Sequence, residues 1–141
     1  MSTLQRAIEI AVSAHRGQIR RNGLPYILHP MRVMLRQKDE ESMIAAILHD
    51  VVEDTDVTHA DLEKEGFTPH VLDAVRRLTH EEDVPYGDYI ESVAGNSIAR
   101  AVKLADLEDN MQLAEISEVS EKDCERLRKY HVAWRHLKGG L

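Results

Sequence analysis

The sequence predicts an all-α fold, a compact helical bundle in one domain. Three observations carry that prediction. Apolar residues recur three and four apart along most of the 141 residues. No segment alternates as a half-buried strand would, and no repeat or low-complexity tract intervenes. The loops between periodic segments are short, as in a bundle.

Taken in order, residues 3–15 place Leu4, Ala7, Ile8, Ala11, Val12 and His15 on one stripe, and Ser2 or Thr3 can cap that helix. Gly17, Gly23 and Pro25 then make a loop that carries Arg16, Arg20 and Arg21. HPMRVMLRQ reads as a short helix with Pro30 in its first turn, where a missing N–H costs nothing. Residues 41–53 are apolar on almost every face and belong in the middle of the molecule. Thr58 and Asp61 form a capping pair for a helix over 58–65 that Gly66 can end. Thr68-Pro69 starts another, running to about Leu78. An acidic loop follows, then a short helix over 86–94. Ser97 to about Leu113 reads as a second buried helix. Ser120 with Asp123 caps a last amphipathic helix over about 120–138. Its stripe includes Cys124, Leu127, His131, Trp134 and Leu137, and Gly139-Gly140 closes it.

Composition narrows the function classes. The hydrophobic content of 43% with only 4% aromatics predicts a core of Leu, Ile, Val, Ala and Met. A formal net charge of −7 argues against a nucleic-acid polymer or an anionic membrane as partner. It leaves room for a small anionic molecule where basic residues concentrate. The single cysteine, Cys124, excludes an intrachain disulfide. No start segment pairs a charged n-region with an apolar h-region, and no apolar run approaches the roughly 20 residues that span a bilayer. The expectation is a cytoplasmic protein.

The chemistry concentrates in a few places. The apolar helix at 41–53 ends on His49, Asp50, Glu53 and Asp54, which share one side of its last turn and a half. Carboxylates so close repel one another, and burial without a partner is costly. A divalent cation is the simplest neutraliser, and His with carboxylate suits Mn, Fe or Zn. A solvated helix end with incidental acids fits the same spacing. In 98–110 the apolar run is broken by Lys103 and Asp106, three apart, and Asn110 continues that face; a salt-bridged or capping Asp is the plain alternative. His29 directly precedes Pro30, and a structural histidine is the alternative there. His15 reads as a hydrogen-bonded histidine in the core or behind the site. His59, His70, His80, His131 and His136 read as surface or packing residues.

Together, AHRGQIRRNGLPYILHP, AAILHDVVEDT and VKLADLEDNM resemble the hydrolase domain of the RelA/SpoT alarmone family, within the HD phosphohydrolase superfamily. The resemblance covers roughly residues 5–115. The ordered set H…HD…D is specific as a combination, and the EDT after the HD narrows it to the alarmone-hydrolase branch. The resemblance implies an HD-type helical bundle with a metal site between helices. It implies that His29, His49, Asp50 and Asp106 bind one metal, usually manganese, with other divalent ions possible. Glu53 and Asp54 match the catalytic acidic pair that positions and activates the attacking water. Arg20 matches a residue that packs against the guanine base, and Asn110 one that contacts the ribose or base region. Arg21, Asn22 and Lys103 are implied pocket neighbours.

The family removes the 3′-pyrophosphate of guanosine tetra- or pentaphosphate, (p)ppGpp, giving GDP or GTP plus pyrophosphate in the stringent response. A small animal relative is similar in fold and is also linked to NADPH 2′-dephosphorylation. The family's last motif usually reads LADRLHNMRT, whereas here it reads LADLEDNMQL, with Leu107 for Arg and Leu113 for Thr. That departure keeps open an HD hydrolase of another nucleotide or phosphoester, and a non-catalytic nucleotide-binding module. Residues 1–141 are expected to form a free-standing small hydrolase, too short for the synthetase and regulatory domains of the long members. The sequence carries no signal for oligomeric state.

Overall fold

Residues Glu40–Leu48 form α3, a helix in which Ser42, Ile44, Ala45, Ala46, Ile47 and Leu48 are all buried. A segment with so little polar surface has to be surrounded, and it is. In the computed structural model, which describes residues 2–114 and 116–139, α3 packs against α1 (Leu4–Ala14), α2 (Leu28–Leu35), α6 (Pro69–Leu78) and α8 (Ser97–Asn110). The remaining helices are α4 (Val51–Asp54), α5 (His59–Lys64), α7 (Tyr86–Ala94) and α9 (Glu121–Leu137). α7 and α9 close over the outer side of α8. Among the described residues there is no strand, only an isolated antiparallel bridge between Ile19 and Pro25 that pins the arginine loop. Among the described residues no helix is long and apolar enough to cross a membrane.

Local chemistry sets the helix starts. Thr3, Thr58, Thr68 and Ser120 each accept a backbone N–H three residues on, as their spacing predicts. At Thr58–Asp61 and Ser120–Asp123 the bond is reciprocated. Asp39 and Asn96 do the same for α3 and α8. Gly66 ends α5 at φ 84°, a left-handed geometry that favours glycine.

Three elements differ from the sequence reading. The single helix expected over 41–53 divides, with α3 ending at Leu48 and α4 starting at Val51. At the break the His49 N–H reaches Ala46 O, at 3.3 Å, instead of the carbonyl four residues back. The His49 ring bonds the same carbonyl through Nδ1 at 2.6 Å. The tightened turn aims His49 and Asp50 into the interior. α8 stops at Asn110 rather than near Leu113, where Met111 N–H closes on Leu107 O at 2.9 Å. In α9 the inward face is Asp123, Ala133 and Leu137, with Tyr130 and Trp134 partly covered, whereas Cys124 and His131 are exposed. At the start of the helix Arg21 and Ser120 hold Asp123 inward in place of Cys124, whereas Leu137 of the expected stripe is buried as read. The core is chiefly aliphatic as expected, with Phe67 and Tyr89 added, and Leu107 is fully buried within it.

Candidate metal centre

Three distant stretches of chain deliver side chains to one point. The first turn of α2 brings His29, the break between α3 and α4 brings His49 and Asp50, and α8 brings Asp106. His29, His49 and Asp106 are buried, and Asp50 is nearly so. One nitrogen or oxygen from each of the four lies within 4.8 Å of the others. Asp106 Oδ1 sits 2.8 Å from His29 Nε2 and 3.2 Å from His49 Nε2. Asp50 Oδ2 is 3.0 Å from His49 Nε2 and 3.8 Å from His29 Nε2.

The outer nitrogens decide what this cluster is suited to hold. His29 Nδ1 donates to Asp109 Oδ2 at 2.6 Å, and His49 Nδ1 donates to Ala46 O at 2.6 Å. Both acceptors lack a proton to give, so each Nδ1 carries the hydrogen. In the neutral tautomer each Nε2 therefore presents a lone pair to carboxylate oxygens. Four electron-rich atoms facing one another repel unless a cation lies among them or both imidazoles are protonated. Burial opposes the charged imidazole of His49, but Asp50 and Asp106 overcome it and hold the group well above its usual range. His29 is raised in the same way, against burial, by Asp106 and Asp109. For Asp106, burial is overcome by Lys103 and the histidines, and the carboxyl is held well below its usual range. Asp50 is lowered against burial to about 2, chiefly by His49. A donor set of two imidazoles and two carboxylates, each imidazole braced from behind, fits a divalent cation.

Further groups tighten the arrangement. Lys103 Nζ bonds Asp106 Oδ2 at 2.9 Å, and Asn110 Nδ2 donates to Asp106 Oδ1 at 3.2 Å. Tyr26 donates its hydroxyl to Asp50 Oδ2. Burial, reinforced by Asp50, pushes that phenol far up, so it stays a donor. Glu53 and Asp54 stand one turn beyond, exposed, and their carboxylates form a second group with Asp50. Partial burial and the Asp50 charge raise both. Glu53 Oε1 accepts the His80 backbone N–H at 2.7 Å, and Asp54 O accepts from Gln18 Nε2 at 2.9 Å.

Beside the cluster lies a groove of about 590 Å³. Arg20, Arg21, Asn22 and Asn110 line it. Arg20 donates to Asn110 Oδ1 at 2.9 Å and lies 5.9 Å from the Tyr26 ring centroid. Arg21 is paired with Asp123 at the start of α9, and Asn22 Oδ1 accepts the Leu24 N–H at 3.0 Å. Lys103 lies with the metal cluster instead, 5.3 Å from the Tyr89 ring centroid. Of the motif departures, Leu113 lines the groove, whereas Leu107 points into the core.

The sequence reading missed Asp109, Arg32, Arg36, Arg126 and Tyr26, all of which line the groove. Asp109 takes two bonds from Arg32, at 2.7 and 3.0 Å, one from Arg20 at 3.3 Å and the His29 bond. Helical spacing held the signal for two of them, since Arg32 follows His29 by three residues and Asp109 follows Asp106 by three. Arg126 carried none, because nothing local brings the start of α9 to the arginine loop.

The HD domain family profile matches residues 7–134. The chain is 36% identical over 121 residues to the guanosine-3′,5′-bis(diphosphate) 3′-pyrophosphohydrolase of Aquifex aeolicus, covering 77% of this chain and 17% of that protein. It is 33% identical over 138 residues to the corresponding Drosophila melanogaster enzyme, MESH1, covering 89% of this chain and 76% of that protein. The solved structure of a metazoan ortholog of SpoT, described as hydrolysing ppGpp and acting in starvation responses, superposes with a TM-score of 0.81. It is 29% identical and covers 99% of this chain and 87% of that one. The chain thus spans about a sixth of the Aquifex relative and about three quarters of the Drosophila one.

Proposed function

The chain belongs to the HD domain family, and from that premise we propose that it is a divalent-metal-dependent hydrolase that removes the 3′-pyrophosphate of guanosine tetra- and pentaphosphate. The products are GDP or GTP and pyrophosphate. Residues 1–141 act as one hydrolase domain in this reading. The single observation that carries it is the convergence of His29 and His49 Nε2 on one Asp106 oxygen, with both outer nitrogens tied to acceptors. The names of the Aquifex and Drosophila relatives supply the substrate.

His29, His49, Asp50 and Asp106 hold one cation, and manganese suits two imidazoles with two carboxylates. When bound, that ion makes water more acidic and offsets charge on the phosphoryl group. The chain's own residues do the rest. Glu53 and Asp54 orient the attacking water and take its proton, and their raised affinity for protons fits that task. Water adds to the phosphorus next to the ribose, the P–O3′ bond breaks, and the ribose oxygen leaves with a proton. Tyr26 holds Asp50, and Lys103 balances the charge of Asp106. Arg20 and Tyr26 offer flat faces to the guanine base, and Asn110 meets the ribose side. Arg21 and Asn22 extend the groove, where Arg21 with Arg20 concentrates positive charge on a chain of net −7. The partner is a free cytoplasmic nucleotide, with no nucleic-acid polymer or membrane involved.

The test is turnover of ppGpp and pppGpp by the purified protein with Mn²⁺. Equal amounts of pyrophosphate and GDP or GTP are expected. Leu113 on the groove wall favours one second reading, in which the missing hydroxyl shifts preference to another nucleotide. Activity on dNTPs, mononucleotides or NADPH with none on ppGpp would select it, and tight ppGpp binding without turnover would make the protein a sensor.

A further inference from the structure

Just behind the acidic pair, the end of α1 makes a contact that neither the metal nor the groove requires. His15 is 2% exposed and follows α1 as its C-cap. Its Nδ1 lies 2.8 Å from Gln18 Oε1, and Gln18 Nε2 donates to the Asp54 carbonyl at 2.9 Å. That carbonyl is among the last of α4 and has no helical partner of its own. Because Asp54 O can only accept, the Gln18 nitrogen must face it and the Gln18 oxygen must face His15. His15 Nδ1 therefore donates to Gln18, and in the neutral ring Nε2 is a bare acceptor.

That bare nitrogen is buried and has no hydrogen-bond partner among the described residues. Leaving a buried acceptor unpaired is unfavourable, and an apolar ring would fill the same space without that cost. What the imidazole supplies and such a ring could not is the Nδ1–H that meets Gln18. The ring also lies 5.0 Å from the Tyr26 ring, whose hydroxyl bonds Asp50. One buried side chain thus meets both arms of the site, Asp50 by way of Tyr26 and Asp54 by way of Gln18.

We propose that His15 and Gln18 form a clamp that fixes the end of α4 and so sets where Asp54 stands relative to Asp50. Both are positioning residues, since neither side chain reaches the reacting atoms. The clamp rests on the hydrolase reading above for its effect on rate, but its effect on α4 is independent of any substrate. Displacement of a reacting group by about 1 Å can cost up to about 100-fold in rate. Loss of the clamp therefore lowers kcat and leaves KM nearly alone, because the groove residues are untouched.

Three variants test it. His15→Phe keeps a ring against Tyr26 but removes the donor. Gln18→Leu removes the link from a half-buried position with little risk to folding. His15→Asn places an amide N–H where Nδ1–H was. The expected kcat for ppGpp falls at least about 10-fold in His15→Phe and in Gln18→Leu, with KM within about twofold, and the double variant is no worse than either single one. His15→Asn recovers most of the rate. Hydrogen exchange of the peptide spanning 50–57 is read in parallel and is faster in the first two variants but not in His15→Asn. Wild-type kcat in Gln18→Leu, or His15→Asn as slow as His15→Phe, overturns the clamp. If the wild type fails to hydrolyse ppGpp, the hydrolase reading fails. The exchange data then still decide the clamp, since unchanged exchange in Gln18→Leu rejects it and faster exchange supports it.

Discussion

Asp109→Asn isolates the brace behind the metal site. The substitution keeps the side chain's shape and removes its charge, while His29, His49, Asp50 and Asp106 all remain. In the wild type Asp109 accepts the His29 Nδ1–H at 2.6 Å and is itself held by Arg32 and Arg20. An asparagine can turn its amide nitrogen toward His29, which moves the imidazole proton to Nε2 and spoils it as a ligand. Loss of such a brace weakens metal binding about 10- to 100-fold. At free metal of about 100 times the wild-type Kd, binding stabilises the fold by ~2.7 kcal/mol. A 10-fold weaker site leaves ~1.4 kcal/mol and a 100-fold weaker one ~0.4 kcal/mol. The metal-induced stabilisation thus shrinks by ~1.3–2.3 kcal/mol, which at about 3 °C per kcal/mol is ~4–7 °C of Tm. The assay is differential scanning fluorimetry of both proteins with EDTA and with Mn²⁺. Comparing increments removes any change in the apo protein. An undiminished Mn²⁺ increment in Asp109→Asn would show that Asp109 does not govern His29 as a ligand.

Glu53→Gln and Asp54→Asn each lower kcat for ppGpp by about 100-fold or more, while the Mn²⁺ increment in Tm stays near wild type. Arg20→Ala raises KM for ppGpp by about 10-fold through lost stacking and charge, measured by initial rates at fixed Mn²⁺. Leu107→Ala costs about 2–5 kcal/mol in urea denaturation, because a fully buried leucine leaves a cavity. Asp123 is held below the usual carboxylate range by Arg21 and then by Ser120, so its contribution is full at neutral pH and is lost as pH falls through the lowered folded value. Urea midpoints measured from neutral to strongly acid pH should decline less steeply in Asp123→Asn than in wild type.

How much of this was legible depends on whether the signal was local. Thr58 with Asp61 and Ser120 with Asp123 announce helix starts because the bonds that make them span three residues. The burial of α3 follows from its apolar faces. The break after Leu48 was hidden, since both halves have helical composition and the turn is imposed by bonds from the His49 ring and Tyr26. The expected ligands His29, His49, Asp50 and Asp106 meet in space, although their residue types alone left plain alternatives open at every position. Arg21 was legible as a groove residue but not as the partner of Asp123, a contact across 102 positions. Leu107 read as a change at the nucleotide edge and is instead a core residue, because α8 turns that position inward.

The most direct measurement is an anomalous difference map from crystals soaked in Mn²⁺ and recorded near the manganese absorption edge. One peak is expected among His29 Nε2, His49 Nε2, Asp50 Oδ2 and Asp106 Oδ1, about 2.0–2.3 Å from each. No peak there at saturating Mn²⁺, or a strong peak elsewhere with these four side chains hydrogen-bonded only to one another, would contradict the metal centre from which the proposed chemistry follows.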